Sequence, residues 1–130
     1  MNKWPFCIIG KKYSFSASHQ LSGLPEGHKC ARLHGHNYTI ELEVRGEIHP
    51  TTGMVVDFAH IDRVIKSLIE RLDHHHLNDV IEGSPTAENI ALWIMHNVDQ
   101  HIFYAVTVWE TEKCWARVEN RDGLYHKELR

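Results

Sequence analysis

The stretch RLHGHNYTIELEV, residues 32–44, decides how this chain reads. His34, His36, Tyr38, Ile40, Leu42 and Val44 alternate with Asn37, Thr39, Glu41, Glu43 and Arg45. A strand turns successive side chains to opposite faces, so one face is apolar and opens with two imidazoles. Upstream, in SFSASHQL (residues 14–21), Tyr13, Phe15, Ala17 and His19 alternate with Ser14, Ser16 and Ser18, and a third imidazole ends a second apolar stripe. Three imidazole nitrogens fill three corners of a zinc tetrahedron and leave the fourth for water or substrate, whereas structural sites are usually closed by thiolates. His19, His34 and His36 are therefore candidate zinc ligands in an open site. Satisfied core histidines, or loose surface binding by HGH, are the alternatives, and iron or copper also use three nitrogens.

Outward from these strands the pattern continues. A first strand is expected over about Phe6 to His19 and a second from His34, with the turn formers Ser22, Gly23, Pro25, Glu26 and Gly27 between them. After HPTTG (residues 49–53), Ile61, Val64, Ile65, Leu68, Ile69 and Leu72 recur at helical spacing within Ala59 to Leu72. Ser84-Pro85-Thr86 offers a hydroxyl cap and an early proline to a second helix running through Ile90, Ala91, Ile94, Met95 and Val98. Strands Tyr104 to Glu110 and Lys113 to Glu119 follow, joined tightly at Thr111-Glu112.

The order β-β-α-α-β-β predicts an α+β layer, a small antiparallel sheet with both helices on one face. Phe103, Ala105, Thr107 and Trp109 are expected opposite Val106 and Val108, which leaves apolar side chains on both faces. Four strands cannot close a barrel alone, so self-association is expected to cover edges and patches. The closing RDGLYHKELR (residues 121–130) shows no pattern and stays unassigned.

A chain of 130 residues fits one domain, residues 1–130, with no internal linker. At 42% hydrophobic, 24% charged and a formal charge of -3, the composition is that of a soluble globular protein. A pI near 6.4 argues against a nucleic-acid scaffold, and no apolar run reaches membrane-spanning length. The start, MNKWPFCIIGKK, is too short an apolar run for a signal peptide, so the cytoplasm is expected. Three cysteines without a CxxC pair fit a reducing compartment, and Cys7 and Cys114 lie in strand-like runs that suggest packing roles. Of twelve histidines, His49, His60, His96, His101 and His126 stand alone among polar neighbours and are expected at the surface.

Three further places carry chemistry. Cys30 lies four residues before His34 beside Lys29 and Arg32, whose charges favour the thiolate of a nucleophile or base; an inert loop cysteine is the alternative. In LDHHHLND (residues 72–79) Asp73 can fix the tautomer of His74 for proton relay, or the tract is a solvated helix end. Glu110 ends the Val106, Val108 stripe, either as a carboxylate for a polar heterocycle or as the polar last residue of a strand.

With CxxxHGH (Cys30 to His36), FSASH, LDHHHLND, SPTAEN and VTVWET, the chain resembles the 6-pyruvoyl-tetrahydropterin synthase superfamily over about residues 5–118. The step from Cys30 to His34 in GHKCARLHGHNY resembles the bacterial branch that makes 6-carboxy-5,6,7,8-tetrahydropterin for queuosine; the pyruvoyl-forming branch carries a longer insert. The resemblance implies the tunnelling fold, in which ββααββ subunits form a trimeric barrel and two trimers stack as a hexamer with active sites at subunit interfaces. It implies zinc on His19, His34 and His36, Cys30 as catalytic base, and Asp73 with His74 as a proton relay from a neighbouring subunit. His74 is preferred to His75 because it directly follows Asp73. Glu110 then anchors the pterin ring. Gln20 departs from the arginine that relatives often carry there. The implied substrate is 7,8-dihydroneopterin triphosphate, cleaved with loss of acetaldehyde and triphosphate, and Lys29, Arg32 and His28 are the nearby cations for its phosphates. Triphosphate elimination that keeps the carbon skeleton, and a non-catalytic zinc-binding assembly module, are the competing functions.

Overall fold

Strand β1 (Phe6–His19) and strand β2 (His34–Glu47) pair antiparallel in one unbroken register, from Phe6 opposite Glu47 to His19 opposite His34. The computed structural model describes residues 6–121. Strands β3 (Phe103–Trp109) and β4 (Trp115–Glu119) complete a four-stranded antiparallel sheet in the order β1-β2-β3-β4. Between β2 and β3 come helix α1 (Phe58–Leu72), capped by the Asp57 carboxylate on the Ala59 N–H, and helix α2 (Ala87–His96), capped by the Thr86 hydroxyl on the Asn89 N–H. Ile61, Ile65, Leu68 and Leu72 of α1 and Ile90, Ala91, Ile94 and Met95 of α2 enter one core with Phe15, Tyr38, Ile40, Leu42, Val106 and Val108 of the sheet. Both helices thus cover the apolar face that the alternation predicts. No helix among the described residues is long and apolar enough to cross a membrane.

Three expectations need correction. Thr86 is the cap of α2, so Pro85 lies before the helix rather than in its first turn, and the helix ends at His96, short of Val98. Phe103 is fully buried in the helix-facing core, whereas Ala105 pairs with Glu43 on the other face. The register shifts between Glu43 and Val44, and this bulge turns Phe103 inward opposite Val44. Cys114 is exposed and precedes β4, because the β3–β4 connection is longer than a two-residue turn. The Glu110 N–H donates to the Cys114 carbonyl (3.0 Å), and the Thr111 hydroxyl accepts from the Lys113 and Cys114 N–H groups. Residues 122–130, with His126, lie outside the described residues.

The face without helices is held by charge. Arg117 grips the Glu43 carboxylate with two nitrogens, at 2.8 and 3.0 Å, and also bonds Glu119. Lys12 lies over the Trp109 ring, and Arg45 between Phe6 and Tyr104. At one end of β1's outer edge the Asp73–His76 tract is docked: His74 N–H donates to the Ser16 carbonyl at 2.6 Å and Ser18 N–H to the His75 carbonyl at 3.2 Å. The rest of that edge and the outer edge of β4 pair with no strand among the described residues.

Candidate functional site

The β1–β2 register brings three imidazoles to one place: His19 faces His34 across the ladder, and His36 faces Ala17 one turn of the pleat away. Gly35 lets the strands close here, since a Cβ at that position would stand 3.3 Å from the Ala17 carbonyl oxygen. Glu110 follows β3 directly, and the pairing of Thr39 with Trp109 carries it alongside. One ligand atom from each of His19, His34, His36 and Glu110 falls within 4.8 Å of all the others.

The protons on these rings can be placed by their partners. The Nδ1–H of His19 donates to the Pro85 carbonyl at 2.8 Å, with the Tyr38 hydroxyl 3.2 Å from the same nitrogen, and the Nδ1–H of His34 donates to the Arg32 carbonyl at 2.7 Å. A carbonyl only accepts, so each ring keeps its lone pair on Nε2. These two Nε2 atoms stand 2.9 Å apart. Two lone pairs at that separation repel. Protonation offers little relief, because burial first, and then the neighbouring His34, hold the His19 pKa below the ordinary histidine value. Burial lowers that of His36 as well. Its Nε2 lies 3.1 Å from Glu110 Oε1 yet is buried without an aligned hydrogen bond. The distance alone would suggest an ion pair; the misalignment and the preference for a neutral ring argue against one. Two converging lone pairs, a third imidazole nitrogen without a hydrogen bond and a carboxylate together fit a divalent cation, which satisfies them all at once. This His/Glu group can hold a metal ion.

The remaining predicted residues lie around it. Cys30 is half-buried in a single 3-10 turn, Lys29–Ala31, and its carbonyl accepts the Leu21 N–H at 2.9 Å, which ties the loop to the end of β1. Its N–H donates to His28 Nδ1 at 3.0 Å. The Cys30 thiol is not in the metal-ligating group, and Lys29 and Arg32 are exposed. Asp73 Oδ1 accepts the Ser16 N–H and lies 2.9 Å from His74 Nδ1, and these bonds hold the carboxyl below its usual pKa, the Ser16 bond most strongly. His75 instead donates its Nδ1–H to the Asp73 carbonyl. The Asp73 carboxylate thus pairs with His74 rather than His75; the His74 ring is largely exposed and its backbone takes a φ of 58°.

Sequence reasoning missed three participants. His76 Nδ1 stands 3.0 Å from the Ser18 hydroxyl and lines, with Ser16, Ser18, His36, Asn37 and His74, a cavity of about 480 Å³ beside the metal group. Tyr38 and Pro85 support His19. Each left a trace in the sequence, His76 within LDHHHLND, Tyr38 on the His34, His36 face and Pro85 near the start of the second helix, but none of these traces reveals the contact.

A family model described as 6-pyruvoyl tetrahydropterin synthase matches residues 8–121. A provisional 6-carboxy-5,6,7,8-tetrahydropterin synthase of Archaeoglobus fulgidus is 38% identical over 113 residues, covering 85% of this chain and 94% of that protein. A dihydroneopterin monophosphate aldolase of Pyrococcus furiosus is 32% identical over 111 residues, covering 82% of this chain and 91% of that one. The solved 6-pyruvoyl tetrahydropterin synthase of Caenorhabditis elegans superposes with a TM-score of 0.82 at 29% identity, over 92% of this chain and 99% of that chain. One fold here carries three reaction names, so the reaction must be argued from the site. On the family match and these identities, this chain belongs to the 6-pyruvoyl tetrahydropterin synthase family.

Proposed function

We propose that the protein is a zinc-dependent lyase that converts 7,8-dihydroneopterin triphosphate to 6-carboxy-5,6,7,8-tetrahydropterin with release of acetaldehyde and triphosphate, in queuosine biosynthesis. The supporting observation is the convergence of imidazole lone pairs, with His19 and His34 Nε2 only 2.9 Å apart and His36 Nε2 unsatisfied beside them. Zinc held by His19, His34 and His36 would supply Lewis acidity to the side-chain oxygens of the substrate. Cys30, next to the positive Lys29 and Arg32, takes a C–H proton onto its sulfur. Asp73 accepts the His74 Nδ1–H and leaves His74 Nε2 free to carry a proton. That ring is mostly exposed on the β1 edge, and in this reading the dyad serves the site of a neighbouring subunit, as the family resemblance implies. The Glu110 carboxylate accepts paired hydrogen bonds from the amino and ring N–H groups of the pterin. Lys29, Arg32 and His28 meet the triphosphate. The working unit in this reading is a single-domain chain, residues 1–130, assembled in the cytoplasm as a hexamer of two trimeric barrels, with neither nucleic acid nor membrane as partner.

The likeness to the Caenorhabditis elegans structure supports a second reading, triphosphate elimination with every side-chain carbon retained. Incubating purified protein with 7,8-dihydroneopterin triphosphate and identifying all products separates the two. Acetaldehyde with triphosphate is expected; a product that keeps all its carbons would favour elimination, and unchanged substrate would favour a non-catalytic zinc-binding module. Replacing Cys30→Ala is expected to keep one zinc per chain and lower turnover about 10²–10⁴-fold, whereas His34→Ala loses metal and turnover together. Metal analysis beside the activity assay checks this division.

A further inference from the structure

His34 takes its carbonyl partner from Arg32 in its own chain segment, but His19 takes its partner from another element, the turn that starts α2. That turn is heavily braced. Thr86 N–H donates to the Ser84 carbonyl at 2.9 Å, and the Asn89 side-chain amide donates to the same oxygen at 2.8 Å. Asn89 also gives its backbone N–H to the Thr86 hydroxyl, and Ser22 N–H bonds the Ser84 hydroxyl. Pro85, buried between these braces, has a fixed φ and no N–H of its own, so the direction of its carbonyl is set by how Ser84 and Thr86 are held. We infer that Asn89 is a positioning residue of the metal centre: by locking the Ser84–Thr86 turn it aims the Pro85 carbonyl at His19 Nδ1–H, and so fixes the tautomer and orientation of that ligand. The inference rests on the metal reading above and extends it from the ligands to helix α2. Outer partners of metal-bound histidines are worth about 10–100-fold in metal affinity.

The test is a zinc titration of metal-free protein against a chromophoric chelator, with the visible spectrum of the cobalt(II) form as a second readout. Acting one step beyond the Pro85 carbonyl, Asn89→Ala is expected to weaken zinc binding about 10-fold, the low end of the range for a direct outer partner, and to alter the cobalt bands. Asn89→Asp removes the same N–H donor but places a carboxylate in the first turn of α2, where it favours the helix. This variant is expected to lose affinity as Asn89→Ala does while its thermal midpoint holds. Asn97→Ala is the control, because that amide donates to the Trp93 carbonyl at 2.8 Å at the far end of the same helix. It is expected to leave zinc affinity unchanged. Wild-type affinity in both Asn89 variants, or an equal loss in Asn97→Ala, would overturn the inference and leave the metal centre standing. A wild-type protein that binds no zinc would overturn both.

Discussion

Glu110 is the residue whose two roles the geometry sets against each other. Its carboxylate lies 3.1 Å from His36 Nε2, close enough to close a fourth corner of the metal group, whereas the proposed function has it anchor the pterin. Glu110→Gln separates the roles. As a pterin anchor, the residue can be replaced with one zinc per chain retained and KM for the pterin raised about 10-fold or more, the loss expected of a charge-assisted bond. As a ligand, its replacement would release the metal; zinc content and KM measured on the same preparation decide. The three histidines were legible because two-residue alternation places them on one face. Cys30 was legible as a residue type with charged neighbours. Adjacency led to Asp73 with His74 rather than His75, and the structure places the Asp73 carboxylate against His74 while His75 bonds the Asp73 carbonyl. Ser18 with His76 was not legible, because it depends on how the tract after α1 returns to β1.

Helix α1 is fastened to β1 by a small polar cluster: Asp62 accepts from Tyr13 Oη at 2.6 Å and lies 2.7 Å from Lys11 Nζ. Those bonds, that of Lys11 foremost, hold the Asp62 carboxyl below its ordinary pKa. A carboxyl depressed on folding stabilises the fold above its unfolded pKa, about 3.9, and that contribution disappears as pH falls through the lower folded value. Asp62→Asn should therefore flatten the acid side of a stability-against-pH curve and leave the slope between pH 5 and 8 alone, as read by urea melts across that range. Tyr13 is shifted the other way, upward by burial and by Asp62, so its contribution is lost only as pH rises past the ordinary tyrosine value. The elements themselves were legible to within a residue or two from their periods and caps. The bulge at Glu43/Val44 was not, since an inserted residue leaves the local pattern of β3 intact and changes only what each position faces. Phe103 went to the wrong face for that reason.

For the molecule as a whole, the layer of sheet and helices followed from element order, but the assembly did not, because unpaired edges say that something must cover them without saying what. Phe6 and Ile8 at one free edge and Trp115 at the other are at least half exposed. Sedimentation velocity is expected to give a mass that is a multiple of three chains, and Ile8→Lys to shift it to smaller species; a wild-type monomer would rule the barrel out. A last consequence belongs to the closing rung of the β1–β2 ladder, where His19 meets His34. There two of the candidate ligands sit on the last rung of the sheet, so a cation bound by them would tie the two strand ends together. Chelation should accordingly be felt in the backbone, with amide deuterium uptake quickening at residues 17–19 and 34–36 while the opposite rung, Phe6 with Glu47, keeps its rate. Restoring zinc to one hundred times its Kd should return about 2.7 kcal/mol to the fold. An ion held there would act as the last tooth of a zip, and faster exchange at these two strand tips is the expected sign of its removal.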